Sequence, residues 1–167
     1  MAIHLAIVQI HQGQLWPNNM IRQATRYDIP RLLEIVEAYA YENPIKKLGE
    51  SHNHFPRYVE ELLFSIIQGR GFIFIDSHMR GAIVAYKSSN IWSPKIKELN
   101  ELLWWVEPEY RNGTIGGRLW KAFDERAQAM LKTGEVDFVC TSISANGPLI
   151  DYTRRGYKPL GATFVRE

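Results

Sequence analysis

The chain has 167 residues, 46% of them hydrophobic and 23% charged, with a formal net charge of +2. That is the length of one ordinary domain, able to bury roughly 70% of its unfolded surface, and the composition excludes a disordered chain. Cys140 is the only cysteine, which excludes an intrachain disulfide and a cysteine-rich zinc site.

The first residues, MAIHLAIVQIHQ, are apolar enough to resemble the core of a leader. The first basic residue is Arg22, however, and His4, Gln9 and His11 interrupt the run. We therefore expect no signal peptide and a cytoplasmic location. No segment approaches the roughly 18 consecutive apolar residues of a membrane helix, and no membrane partner is expected. Residues 1–20 read as an N-terminal extension. Ile3, Leu5 and Ile7 alternate as in an added strand, and Trp16-Pro17-Asn18-Asn19 breaks the pattern.

The domain proper is read as residues 21–167. Ile21–Thr25 is a short strand. Asp28 precedes Pro30 as a helix cap, and Ile29, Leu32, Leu33, Val36 and Tyr39 recur at helical spacing. Residues 42–54 read as a polar loop. A second helix spans about Phe55 to Gln68 and stops at Gly69. Phe72–Asp76 and Ala82–Lys87 form a hairpin, and Ser88–Pro94 reads as a loop. Lys97–Val106 is a long strand closed by Pro108. A third helix runs from about Thr114 to Lys132 and ends at Gly134. Val136–Ile143 is an apolar strand. Asn146-Gly147-Pro148 opens a short helix reaching Arg155, and Tyr157–Val165 supplies one or two last strands. The order predicts a mixed α/β domain, one sheet with helices on both faces.

Chemistry concentrates in residues 103–119, LWWVEPEYRNGTIGGRL. A strand enters a turn holding Gly113, Gly116 and Gly117, and a helix starts inside that turn. Glycines let backbone amides approach a ligand, and the first amides of a helix lack internal partners at the positive end of its dipole. Such a turn suits a phosphate or pyrophosphate, with Arg111 and Arg118 as charged helpers. The plainer reading, glycines for close strand–helix packing, stays open. A phosphate loop of the G-x-x-x-x-G-K-[ST] type is absent, and the glycines are not in dinucleotide-binding register.

The string V-x-P-E-Y-R-x-x-x-I-G-x-x-L resembles the acetyl-coenzyme A loop of the GNAT (GCN5-related) N-acetyltransferases, whose consensus is R/Q-x-x-G-x-G/A. Arg111 takes the R/Q place and Gly116 the G/A place. Thr114 stands at the first glycine place, and Gly113 precedes it. A second match is LIDYTRRGY, residues 149–157, where Tyr152 sits four residues before Gly156 as the family's late-helix tyrosine does. The resemblance covers roughly residues 21–167. It implies the GNAT fold, a mixed and mostly antiparallel sheet splayed between its fourth and fifth strands. It also implies acetyl-coenzyme A as co-substrate, no metal, and an acetyl group moved to a primary amine on a protein or small molecule.

Position by position, the resemblance implies that the backbone of Val106 binds pantetheine and that the amide of Trp104 faces the thioester carbonyl. The amides of Asn112, Gly113, Thr114, Ile115, Gly116 and Gly117 would hold the pyrophosphate behind Arg111. The family's strand carboxylate falls by count on Asn100. Glu101 is the first substitute, reached if the strand carries a bulge, and Glu98 the second. Both read equally as solvent-facing strand acids. Tyr152 would protonate the departing thiolate, or else packs on the sheet. His52 and His54 read as exposed loop histidines and Cys140 as a structural thiol.

Two other readings stand beside the enzyme: a GNAT-fold binding module without chemistry, and an acetyltransferase acting on RNA or aminoacyl-tRNA. The latter would use Arg80, Lys87, Lys95 and Lys97, a stretch without acids. A homodimer, with residues 1–20 as its arm, is a further expectation.

Overall fold

The computed structural model describes residues 20–144 and 147–166, so the extension read at 1–20 lies outside the described residues except for Met20. Strand β1 is Ile21–Gln23. Helix α1 covers Ile29–Glu42 and α2 covers Pro56–Ser65. Strands β2 (Gly71–Asp76), β3 (Gly81–Asn90) and β4 (Ser93–Val106) precede α3 (Ile115–Thr133) and β5 (Phe138–Cys140). The sheet order is β1-β2-β3-β4-β5. Only the β4–β5 pair is parallel.

Burial on both faces explains the sequence of the central strands. Phe72 and Phe74 of β2 point to α3 and join Leu99, Leu119, Trp120 and Phe123 in one core. Ile73 and Ile75 point the other way and join Leu32 and Ile35 of α1 and Leu63 of α2. A strand covered on both sides reads as a continuous apolar run, here FIFI, instead of alternating. Gly134 ends α3 in the left-handed region at φ 70°, as its position after the last helical residue predicts.

Four expectations need correction. Ser88–Pro94 is not a loop: β3 and β4 stay paired from Ser88–Glu98 out to Asn90–Ser93, leaving Ile91 and Trp92 at the tip, 85% and 89% exposed. The strand read at 136–143 is cut to Phe138–Cys140. The short helix read at 148–155 is a single 3-10 turn over Tyr152–Arg155. No strand forms among the described residues of 157–165, where Leu160 and Phe164 stand 90% and 92% exposed. No described helix is long and apolar enough to cross a membrane.

Asp28 also departs from its expected role. It makes no side-chain cap to α1. Its two oxygens accept from Arg22 at 2.8 and 2.7 Å, and one also accepts the Thr25 backbone N–H at 2.8 Å. The Arg22 bonds do most to hold the carboxyl at about 2, with Thr25 helping and burial opposing. A depressed folded-state pKa contributes stability that is present above the unfolded value and lost as pH falls through the folded one. Asp28→Asn should therefore lower the Tm at neutral pH by a few degrees, the scale of about 1 kcal/mol in a chain this size. The gap to the parent should close between about pH 4 and about pH 2 in a thermal-melt series.

Candidate functional site

The site begins with a defect in β4. Val84 pairs with Leu103 and Ala85 with Glu101, so Leu102 is left over as a bulge. On the other edge, the ladder to β5 holds for Glu98–Phe138, Leu99–Val139 and Asn100–Cys140 and then stops. Bulges bend a strand and increase its twist. Beyond Asn100 the two parallel strands part, and the β4 edge from Glu101 to Val106 has no strand beside it among the described residues.

Glu101 sits where they part. One carboxylate oxygen accepts the Thr141 hydroxyl at 3.1 Å and the Ser142 N–H at 3.5 Å, bridging the gap that the ladder leaves. Burial pushes its carboxyl above the usual range, against the pull of Ser142 and Thr141. Tyr152 faces the same gap. Its hydroxyl donates to the Ser142 carbonyl at 3.4 Å, and its ring packs 5.0 Å from Trp120. Burial, more than any neighbour, raises the Tyr152 phenol. It is therefore protonated at neutral pH. Tyr39 of α1 and Trp104 help line a small cleft, about 60 Å³, that contains both Glu101 and Tyr152.

Glu98 is elsewhere. Its carboxylate accepts from Asn90 at 2.8 Å and from Ser88 and Asn100 at 3.2 Å each. These bonds, Asn90 first, hold it below its ordinary value. A carboxylate this well satisfied is a poor proton acceptor. Asn100, at the family's carboxylate place, donates within the same network.

The two tryptophans separate as adjacent strand residues must. Trp105 is buried against α1 and donates its indole N–H to Glu42 at 3.2 Å. Trp104 lies beneath the start of α3. There Thr114 makes no side-chain cap, and the first intrahelical bond runs from the Arg118 N–H to the Thr114 carbonyl at 3.0 Å. The amides of Ile115, Gly116 and Gly117 thus open the helix without intrahelical partners. A Cβ built on Gly116 would meet Val106 and Trp104 at 3.7 and 3.8 Å, ordinary contact, and one on Gly117 would meet nothing within 4 Å. The protein's own packing needs neither glycine.

Arg111 is differently occupied than a free phosphate clamp. Its guanidinium donates to both oxygens of Glu42 at 2.5 and 2.7 Å and, through Nε, to the Val106 carbonyl at 2.8 Å. Arg118 contacts the Met20 sulfur. Of the basic stretch, Arg80 pairs with Asp76 and Lys87 with Glu135. The Cys140 thiol is raised, by burial first. His54 is bonded through Nε2 to the Leu48 carbonyl at 2.8 Å.

A bulged central strand, a ladder that opens after three pairs and a long helix starting just beyond it make a recognisable arrangement. Solved structures confirm it. The chain has the GNAT fold. It superposes on a predicted acetyltransferase of Clostridium acetobutylicum, solved with acetyl-CoA, with a TM-score of 0.64 at 13% identity, covering 88% of this chain and 94% of that one. A GCN5-related N-acetyltransferase of Ralstonia eutropha gives 0.61 at 19% identity, over 88% and 97%. An aminoglycoside acetyltransferase from an uncultured soil metagenomic sample, in complex with trehalose, gives 0.52 at 15%, over 88% and 91%. No protein-family model and no curated protein sequence matches the chain.

Within this GNAT fold the sequence pointed to Glu101, Tyr152, Trp104 and the 112–117 turn, and the structure brings the first three together. It missed Tyr39, Ser142 and Glu42. Ser142 was findable, because it follows the point where the apolar run from Val136 turns polar. Tyr39 and Glu42 carry no local signal, since only the packing of α1 on the sheet brings them to the site. Gly116→Ala should raise stability by about 0.5–1 kcal/mol, the helix-propensity difference, because the methyl has room. Urea unfolding measures it, and a loss of stability would show that the protein itself requires the glycine.

Proposed function

We propose that the chain is an acetyl-coenzyme A-dependent N-acetyltransferase, moving acetyl to a primary amine by direct attack in a ternary complex. The observation that carries this reading is the pairing of a raised carboxyl, Glu101, with a protonated phenol, Tyr152, in one cleft where β4 and β5 part. Burial raises both groups, and the phenol, which starts from the far higher ordinary value, keeps its proton and suits the acid, leaving the carboxylate to serve as base.

Acetyl-coenzyme A would supply the activated acyl group as a thioester. The open amides of Ile115 to Gly117, with Asn112 to Thr114 before them, suit its pyrophosphate, and the exposed edge of β4 through Val106 suits pantetheine. Arg111 then serves the turn as a strut to Glu42 as well as a charge at its head. The Trp104 amide is fixed by its strand, which suits a donor to developing negative charge. Glu101 takes the proton of the acceptor ammonium, directly or through water, because an ammonium cannot attack. Tyr152 gives a proton to the departing thiolate.

The alternative of a binding module without chemistry draws on Thr114 at the first glycine place, and the Glu101–Tyr152 pair weighs against it. An RNA acceptor is less favoured, because Arg80 and Lys87 are already paired with acids. We carry residues 21–167 as the working domain, with residues 1–20 dispensable for cofactor binding, and a cytoplasmic location as part of the same proposal.

Gly116→Glu should abolish acetyl-coenzyme A binding in isothermal titration calorimetry, by filling the phosphate site with like charge, while the unliganded Tm stays near the parent. Retained affinity would contradict the assignment. Glu101→Gln should lower kcat by roughly 10²–10⁴-fold, the range for one acid–base group. It should also remove an acid limb of the kcat/KM–pH profile lying above the ordinary carboxylate value of about 4.3. Activity rises through that limb as Glu101 loses its proton. Glu98→Gln should leave the limb in place.

A further inference from the structure

The charge pattern of the cleft bears on the amine that an acetyltransferase with this site would accept. Tyr39, Glu101, Trp104, Ile143, Ile150 and Tyr152 are the larger side chains that line the cleft. Among the described lining residues Glu101 is the only carboxylate, and there is no lysine or arginine. The remaining side chains are three aromatic rings, two isoleucines, a proline and small hydroxyls. The enclosed space is about 60 Å³, well below the ~300–1,000 Å³ of typical small-molecule sites, so the cleft reads only the end of the acceptor that enters it.

We infer that the acceptor is an amine bearing a single positive charge on an otherwise uncharged, apolar body, an inference that rests on the proposed acetyltransferase activity.

Each part of that class derives from what the wall offers. One ammonium finds one carboxylate, at the depth where the proton must be removed. A second ammonium would leave water for an apolar wall without a partner, which is costly. A carboxylate on the substrate would meet the charge of Glu101 with no arginine or lysine to offset it. An apolar body gains from Tyr39, Ile143 and Ile150, which no highly hydroxylated body would. Selection thus works by missing partners as much as by present ones. Aminoglycosides carry several ammonium groups, so the likeness to an aminoglycoside acetyltransferase ends at the fold.

The test uses the full chain with acetyl-coenzyme A and three classes of acceptor. The first is 2-phenylethylamine and hexylamine, the second spermine and kanamycin, and the third phenylalanine and lysine. Released thiol gives the rate and mass spectrometry identifies the acetylated amine. The first class should exceed the other two at least tenfold in kcat/KM. Ile143→Asp, at a side chain already 45% exposed and so tolerant of charge, adds a second carboxylate to the wall. It should shift the spermine-to-phenylethylamine ratio at least tenfold toward spermine.

Polyamines or amino acids matching the monoamines would overturn the inference. So would an unchanged ratio in Ile143→Asp, or turnover of no monoamine by a protein that calorimetry shows to bind acetyl-coenzyme A. Absence of acetyl-coenzyme A binding overturns instead the acetyltransferase activity on which the inference rests.

Discussion

The parallel ladder between β4 and β5 lasts three residue pairs, and the site depends on its stopping there. Parallel strands in a covered sheet normally run on together, because every unpaired backbone group in the interior is costly. Here one extra residue, Leu102, turns β4 out of register with β3 and away from β5. The backbone groups released at the break are not abandoned. The Ser142 N–H turns to the Glu101 carboxylate and the Ser142 carbonyl accepts from Tyr152. The two side chains that answer for the broken ladder are the two we propose as base and acid. Structure and chemistry are thus tied to one defect.

Holding a sheet open needs rigid walls. Trp120 supplies one, fully buried in α3 and in ring contact with Trp104 at 5.3 Å, Phe123 at 5.0 Å and Tyr152 at 5.0 Å. On the opposite face the pair of Arg111 with Glu42, joined by the Trp105 indole, ties the turn before α3 to the end of α1. The end of α1 and the turn before α3 are therefore braced against each other.

Much of this was legible from the sequence and some was not. Helices α1 to α3 were readable because their apolar residues recur at 3.6-residue spacing and each packs on one face. The FIFI run of β2 was readable because burial on both faces leaves no place for a polar residue. The hairpin tip was misread because Ser88, Ser89, Asn90 and Pro94 are loop formers, yet β3 and β4 pair through them. Backbone pairing begun in a stable ladder outweighs weak local preference. Residues 157–165 failed the other way: their strand-forming residues form no strand. Within the site, Glu101 was preferred to Glu98 only on condition of a bulge, and the bulge is there. Nothing local distinguishes the two glutamates. Their surroundings diverge because Glu98 meets Asn90 and Asn100, while Glu101 meets the end of β5.

The central claim is that the open edge of β4 and the first turn of α3 together form the binding surface for acetyl-coenzyme A, with Glu101 at its inner end. Backbone amide NMR during titration with coenzyme A reads that surface directly. The account predicts that the largest shifts fall on residues 101–106 and 112–117, with smaller ones at Ser142 and Tyr152. Saturable binding that moves amides elsewhere and leaves both segments unchanged would contradict it.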